Sequence, residues 1–255
     1  METTTDTSSI HTAMPTLKGK RVFITGGTTG IGRAIANLLG SEGAEIFACG
    51  RHQAELIDAL ESIRSTGALA AGEVADVSKP DDVKRIFKQA DQSLGGLDIF
   101  INNAGVAGGG VEEEEDESWR YIVETNLLGY IGCAKEAING MKPAQKGHIV
   151  LIGSMSADLW SGGSSIYAAT KSGIQAFAEA LRKEVNPEGI KVSLIEPGKT
   201  GSDMVEESPS EQRNLIHKHD MLRAEDIAVA VHYVLTQPAR RDIVNLQIRP
   251  HLQLI

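Results

Sequence analysis

Thr25-Gly26-Gly27-Thr28-Thr29-Gly30-Ile31-Gly32 is the stretch that decides how this chain is read. It follows a short apolar run, Arg21 to Thr25 (RVFIT), and leads into a segment where Ile31, Ile35, Leu38 and Leu39 recur at helical spacing. The octet is therefore the turn between a buried strand and an amphipathic helix. At such a turn the first helical N–H groups and the positive end of the macrodipole attract phosphate, and glycine lets the phosphate come close to the backbone. Gly26, Gly30 and Gly32 are the close-approach positions. The spacing GxxxGxG differs from the GxGxxG dinucleotide fingerprint, so the turn alone also fits a tight strand–helix connection without ligand.

Outward from the turn, apolar strand-like runs alternate with helical patterns to the end of the chain. Strands are predicted at Glu45 to Cys49, Ala68 to Val74, Leu97 to Ile101, His148 to Ile152, Lys191 to Ile195 and Ile243 to Ile248. Helices are predicted at Gln53 to Arg64, Asp81 to Ser93, Glu114 to Leu128, Gly129 to Met141, Tyr167 to Val185 and Ala224 to Leu235. Strict alternation implies an α/β fold, a parallel sheet with helices on both faces. No repeat, linker or low-complexity block divides the 255 residues. They are read as a flexible tail, residues 1–17, and a single domain, residues 18–255.

The net charge of −9 argues against nucleic acid or an anionic membrane as partner, since both require a basic face. No run approaches the ~20 apolar residues of a membrane span. The opening residues lack the basic start and apolar stretch of a secretory signal. The two cysteines, Cys49 and Cys133, are far apart and are read as reduced thiols of a cytoplasmic protein.

Further motifs follow in order. Asp76-Val77 closes the third strand, and Asn102-Asn103-Ala104-Gly105 the fourth. Asn126 lies in the helical region after it. Ser154 stands just beyond the fifth strand, thirteen residues before Tyr167, and Lys171 follows Tyr167 by four. Pro197-Gly198 ends the sixth strand. This set, spread from Lys18 to about Ile248, resembles the short-chain dehydrogenase/reductases. The resemblance implies a Rossmann-type, doubly wound, parallel seven-stranded sheet and a nicotinamide dinucleotide cofactor. It implies Ser154, Tyr167, Lys171 and Asn126 as the catalytic residues, with Asn126 holding a water that links the lysine to solvent. It also implies cofactor contacts from Gly26, Thr28, Thr29, Gly30, Ile31, Gly32, Asp76, Val77, Asn103, Ala104, Gly105, Tyr167, Lys171, Pro197, Gly198 and Thr200. Asp76 is the adenine contact. Family members carry Thr five positions past the Pro, near the cofactor amide; Ser202 stands there in this chain.

The second strand ends Ala48-Cys49-Gly50-Arg51. NAD enzymes place an acid about ~20 residues past the glycine turn, on the ribose 2′-hydroxyl. An acid repels a 2′-phosphate, whereas Arg51 can hold one. NADP(H) is therefore favoured over NAD(H). Tyr167 and Lys171, four apart, share a helix face. An ammonium ~4 Å from the phenol, at an effective dielectric of ~20, stabilises the phenolate by ~4 kcal/mol. That lowers a pKa of ~10 by up to ~3 units before desolvation opposes it. The hydroxyl of Ser154 can orient the substrate oxygen.

The function expected is NADP(H)-dependent hydride transfer between a ketone or aldehyde and an alcohol. Candidate substrates are 3-hydroxy acids, 3-oxoacyl compounds and general carbonyls. A catalytically silent NADP(H)-binding regulator and a non-redox isomerase of the same fold are the alternatives. Glu112 to Glu117 is read as a solvated helix start, His217 and His219 as surface residues, and no metal site is assigned. Trp119 and Trp160 suit either the substrate mouth or simple packing. Substrate choice is assigned to Ser156 to Ser165 and to a polar segment at about 199–220, read as a mobile lid. By resemblance, the helices carrying Asn126 and Tyr167 pair with copies of themselves in a homo-oligomer, a tetramer or dimer.

Overall fold

Val22, Phe23 and Ile24 of the first strand are fully buried on both faces, the mark of a parallel strand covered by helices above and below. The computed structural model describes residues 14–253. Seven strands, β1 (Arg21–Thr25), β2 (Glu45–Gly50), β3 (Ala70–Val74), β4 (Ile99–Asn102), β5 (Gly147–Ile152), β6 (Ile190–Pro197) and β7 (Asn245–Ile248), form one sheet. Their order is β3-β2-β1-β4-β5-β6-β7 and every pairing is parallel. This is the Rossmann-type doubly wound sheet.

Helices α1 (Gly30–Ser41), α2 (Gln53–Ser65), α3 (Pro80–Leu94), α4 (Asp116–Val123), α5 (Gly129–Met141), α6 (Ser156–Leu159), α7 (Ser165–Val185), α8 (Pro209–His217) and α9 (Ala224–Leu235) complete the described part. Alternate side chains of β1 feed two apolar layers. Val22 and Ile24 meet Ile35 and Leu39 of α1, Leu56 and Ile63 of α2, and Ile227 and Val231 of α9. Phe23 faces the other layer, against α3, α5 and α7, in an aromatic cluster with Phe47, Phe87 and Phe100 at centroid separations of 5.2, 4.8 and 5.5 Å.

β1 pairs with both β2 and β4, so the strand order reverses there. Connections leave the carboxyl ends of β1 and β4 in opposite directions, and a crevice opens between these two strands.

Four readings need adjustment. Residues 1–13, most of the segment read as a tail, lie outside the described residues; Leu17 at its end is 3% exposed and packs in the α1 layer. β3 begins at Ala70, because Gly67 takes a positive φ of 94° and Leu69 is exposed. α4 and α5 are continuous through a π-helical turn, Glu124–Leu128, rather than two separate helices. The segment at 199–220 is not irregular: it carries α8, which Ser208 and Glu211 start with a reciprocal capping box and Pro209 in the first turn.

Candidate active site

The glycine turn meets the end of β4 at the crevice. Gly26 and Gly30 adopt φ of +62° and +49°, which favours glycine. A Cβ on Gly32 would stand 2.1 Å from the Gly26 carbonyl oxygen. Asn103 Nδ2 donates to Thr25 O and Gly26 O, each at 3.1 Å, and Thr25 Oγ1 accepts from the N–H of Asn103 and Ala104 at 3.0 and 3.2 Å. The Asn103 side chain is thus held by the turn, and its part there is to fix the turn's shape. Helix α1 starts from this turn with no side-chain cap and no acid in its first turn, leaving its dipole uncompensated.

At the far end of the crevice, Arg51 Nη1 donates to the Tyr121 hydroxyl at 2.8 Å, and that hydroxyl donates to Asp76 Oδ2 at 3.2 Å. Asp76 Oδ1 accepts from Ser78 N and Ser78 Oγ at 3.0 and 2.7 Å. Gly50 leaves no room for a side chain, since a Cβ there would lie 2.4 Å from Thr28 Oγ1.

Ser154, Tyr167 and Lys171 meet at the opposite end. β5 delivers Ser154, whose Oγ accepts from Ser156 N at 3.1 Å and starts the α6 turn. Tyr167 and Lys171 share one face of α7, which packs across β6 and the π turn. Lys171 is 4% exposed; its Nζ donates to Ile152 O at 3.3 Å and lies 5.5 Å from the Tyr167 ring centroid. Burial lowers its pKa to about 8. Burial also raises the Tyr167 phenol, with the Ser154 hydrogen bond opposing. The lowered phenol pKa expected from the lysine's charge is therefore not what this pocket produces, because desolvation of the phenolate outweighs the Ser154 hydrogen bond that opposes it.

Asn126 lies in the π turn, fully buried. It accepts from Val106 N and donates to Val106 O, both at 2.8 Å. Its side chain is satisfied by the strand β4 connection and stands behind the cavity wall rather than in it.

The remaining predicted positions converge on one cavity of about 820 Å³. Gly26, Thr28, Thr29, Gly30, Ile31, Arg51, Asp76, Val77, Asn103, Ala104 and Gly105 line the end that holds the glycine turn. Ser154, Tyr167, Lys171, Pro197, Gly198 and Thr200 line its other end, and Ser202 lines it beside Gly30. Gly32 and Asn126 support the wall without lining it. Sequence reasoning missed Val106, Met155 and Gln253, which also line it, whereas Leu159, Met204 and Val205 line it from the two segments assigned to substrate choice. Gln253 Oε1 accepts from Lys199 N at 3.0 Å, a pairing with no local motif to announce it. Trp119 stacks with Arg120 and Trp160 is 73% exposed; neither lines the cavity.

An uncapped helix start, a turn that excludes side chains and a cation at one end fit the phosphates of a dinucleotide. A phenol, an ammonium and a hydroxyl at the other end fit its nicotinamide ribose and a carbonyl oxygen. A family model described as short chain dehydrogenase matches residues 20–213. The chain belongs to the short-chain dehydrogenase/reductase family.

Its relatives agree with that membership. This short-chain dehydrogenase/reductase is 33% identical to an uncharacterized oxidoreductase of Staphylococcus aureus (strain MRSA252) over 93% of this chain and 100% of the relative. It is 33% identical to the 3-oxoacyl-[acyl-carrier-protein] reductase of Pseudomonas aeruginosa over 88% of this chain and 92% of that one. A short chain dehydrogenase from Burkholderia cenocepacia J2315 in complex with NADP superposes with a TM-score of 0.82, at 27% identity, over 92% and 98% of the two chains. As a member of this family the protein is an oxidoreductase that uses a nicotinamide cofactor. Among the described residues no helix is long and apolar enough to cross a membrane.

Proposed function

We propose that the protein interconverts a ketone or aldehyde and its alcohol with NADP(H), Tyr167 serving as general acid and base. The observation that carries this reading is the meeting of Ser154, Tyr167 and Lys171 at one end of the cavity whose other end is the glycine turn and Arg51. The bound reduced nicotinamide supplies a hydride to the carbonyl carbon. Ser154 holds the carbonyl oxygen near the phenol. The raised phenol pKa keeps Tyr167 protonated through neutral pH, so it can give its proton to the oxygen as negative charge develops. Lys171, buried and still mostly protonated at pH 7, grips the nicotinamide ribose and stabilises the phenolate left behind. Asn126, bonded to Val106, holds the π turn in place, and a water beside it would return the proton to solvent.

The preference for NADP(H) rests on two features. Arg51 offers a cation beside the adenosine end. Gly50, where an NAD enzyme would carry its acid, is packed against Thr28 and admits no side chain. With the best substrate of a ketone panel, kcat/KM for NADPH should exceed that for NADH by at least ~10-fold, the discrimination of one charge-assisted phosphate contact. Better use of NADH would refute the cofactor assignment.

Val106, Met155, Leu159, Met204 and Val205 give the reactive end apolar walls, which suits the carbon chain of an oxoacyl, hydroxy acid or simple ketone substrate. Leu128 and Ile131 are exposed at the start of α5, which supports pairing of this face with a second copy. The buried free thiols Cys49 and Cys133 suit a reducing cytoplasm.

A further inference from the structure

At the adenosine end of the cavity a single phenol stands between two opposite charges. Arg51 follows β2, Asp76 follows β3, and the Tyr121 hydroxyl on α4 bridges them at 2.8 and 3.2 Å. The Arg51 guanidinium also stands over the Tyr121 ring, 5.8 Å from its centroid. We propose that Tyr121 is a specificity residue for the cofactor: it holds Arg51 away from Asp76 and so keeps the guanidinium presented to the 2′-phosphate of NADP(H). This rests on the NADP(H) reading above.

Hydrogen-bond chemistry gives the chain one direction. Arginine has donors only, so the phenol oxygen must accept from Arg51, and the single phenolic proton is then free for Asp76. Arg51 uses one donor on Tyr121 and keeps the others for a ligand. Arg51 is exposed, and an exposed arginine loses side-chain freedom when it captures a phosphate. An anchor made beforehand removes part of that loss. The hydroxyl also acts as a neutral spacer. Without it, Arg51 and Asp76 attract each other directly, and the guanidinium turns to a carboxylate instead of the ligand. Asp76 itself stays in place, because Ser78 holds its other oxygen. The loss therefore falls on NADPH more than on NADH, which has no 2′-phosphate for Arg51 to hold.

The test is titration of wild type and Tyr121→Phe with NADPH and with NADH, giving four dissociation constants. Phe keeps the ring and removes only the bridge. The expected result is a fall of about fivefold in the NADPH-over-NADH preference, the scale of one ordinary hydrogen bond acting through Arg51. Added to Arg51→Ala, the same substitution should change the preference no further, since it acts through Arg51. A wild type that binds NADH as tightly as NADPH would overturn the NADP(H) reading itself. A wild type that prefers NADPH, with Tyr121→Phe weakening both cofactors equally or leaving their ratio intact, would overturn only the role of Tyr121.

Discussion

Tyr167→Phe should bind NADPH within about twofold of wild type and lose turnover by ~1,000-fold, the scale of a general acid in the middle of its range. The substitution removes one oxygen from a side chain whose ring lies 5.5 Å from Lys171 Nζ and leaves that ring in place. The rest of the cofactor cavity, from the glycine turn to Arg51, is untouched. Nothing else at the reactive end can replace the proton. The Ser154 hydroxyl has a far higher intrinsic pKa, and the Lys171 ammonium donates to Ile152 O, 5.5 Å from the phenol ring centroid. Steady-state kinetics together with a cofactor titration read both halves of this expectation. Retention of the wild-type rate would remove Tyr167 from the chemistry.

Gly32→Ala should be nearly as damaging, by a steric route. The added methyl carbon would fall 2.1 Å from the Gly26 carbonyl oxygen and 2.6 Å from Asn103 Nδ2, the same pair that hydrogen-bond to each other at 3.1 Å. One contact is with backbone, so no side-chain rotation relieves it. The turn must open, or α1 must move off β1. Overpacking of this kind costs roughly 1–3 kcal/mol of stability, a few degrees in Tm for a domain of this size. The larger effect is on the phosphate turn, where we expect NADPH affinity to fall by ~100-fold or more. Gly30→Ala is the comparison: its Cβ meets only Ser202 Cβ, at 3.3 Å, though its positive φ still strains an alanine. Thermal melts with and without cofactor separate the two effects. Unchanged affinity in Gly32→Ala would mean the turn does not hold the phosphates.

Most of the sheet was legible because its strands are apolar on both faces and bounded by turn residues. The helices of the two core layers were legible because each buries a periodic stripe. α8 was not, since it buries no residue at all and so carries no apolar period; its only local sign is the Ser208-to-Glu211 cap. The π turn at Glu124–Leu128 was read as a break between helices, because periodicity slips there without the backbone ending. Within the site, the glycines and the Tyr167–Lys171 pair sit on local geometry that four-residue spacing reveals. Tyr121 joins Arg51 and Asp76 across three separate elements, and Gln253 reaches Lys199 from the last described residues, so neither leaves a local pattern. The direction of the Tyr167 pKa escaped for a related reason: charge can be placed from spacing, but the burial that raises the phenol belongs to the folded cavity.

In the proposed reaction one cavity joins a dinucleotide to a proton-donating phenol. Mixing the protein with one equivalent of NADPH and a panel of ketones, and following the absorbance of the reduced cofactor, tests it most directly. With at least one ketone the absorbance should fall by a full equivalent as the matching alcohol forms. NADPH that binds stoichiometrically yet stays reduced with every ketone, together with NADP+ that stays oxidised with every matching alcohol, would contradict it and leave a protein that holds the cofactor without using it.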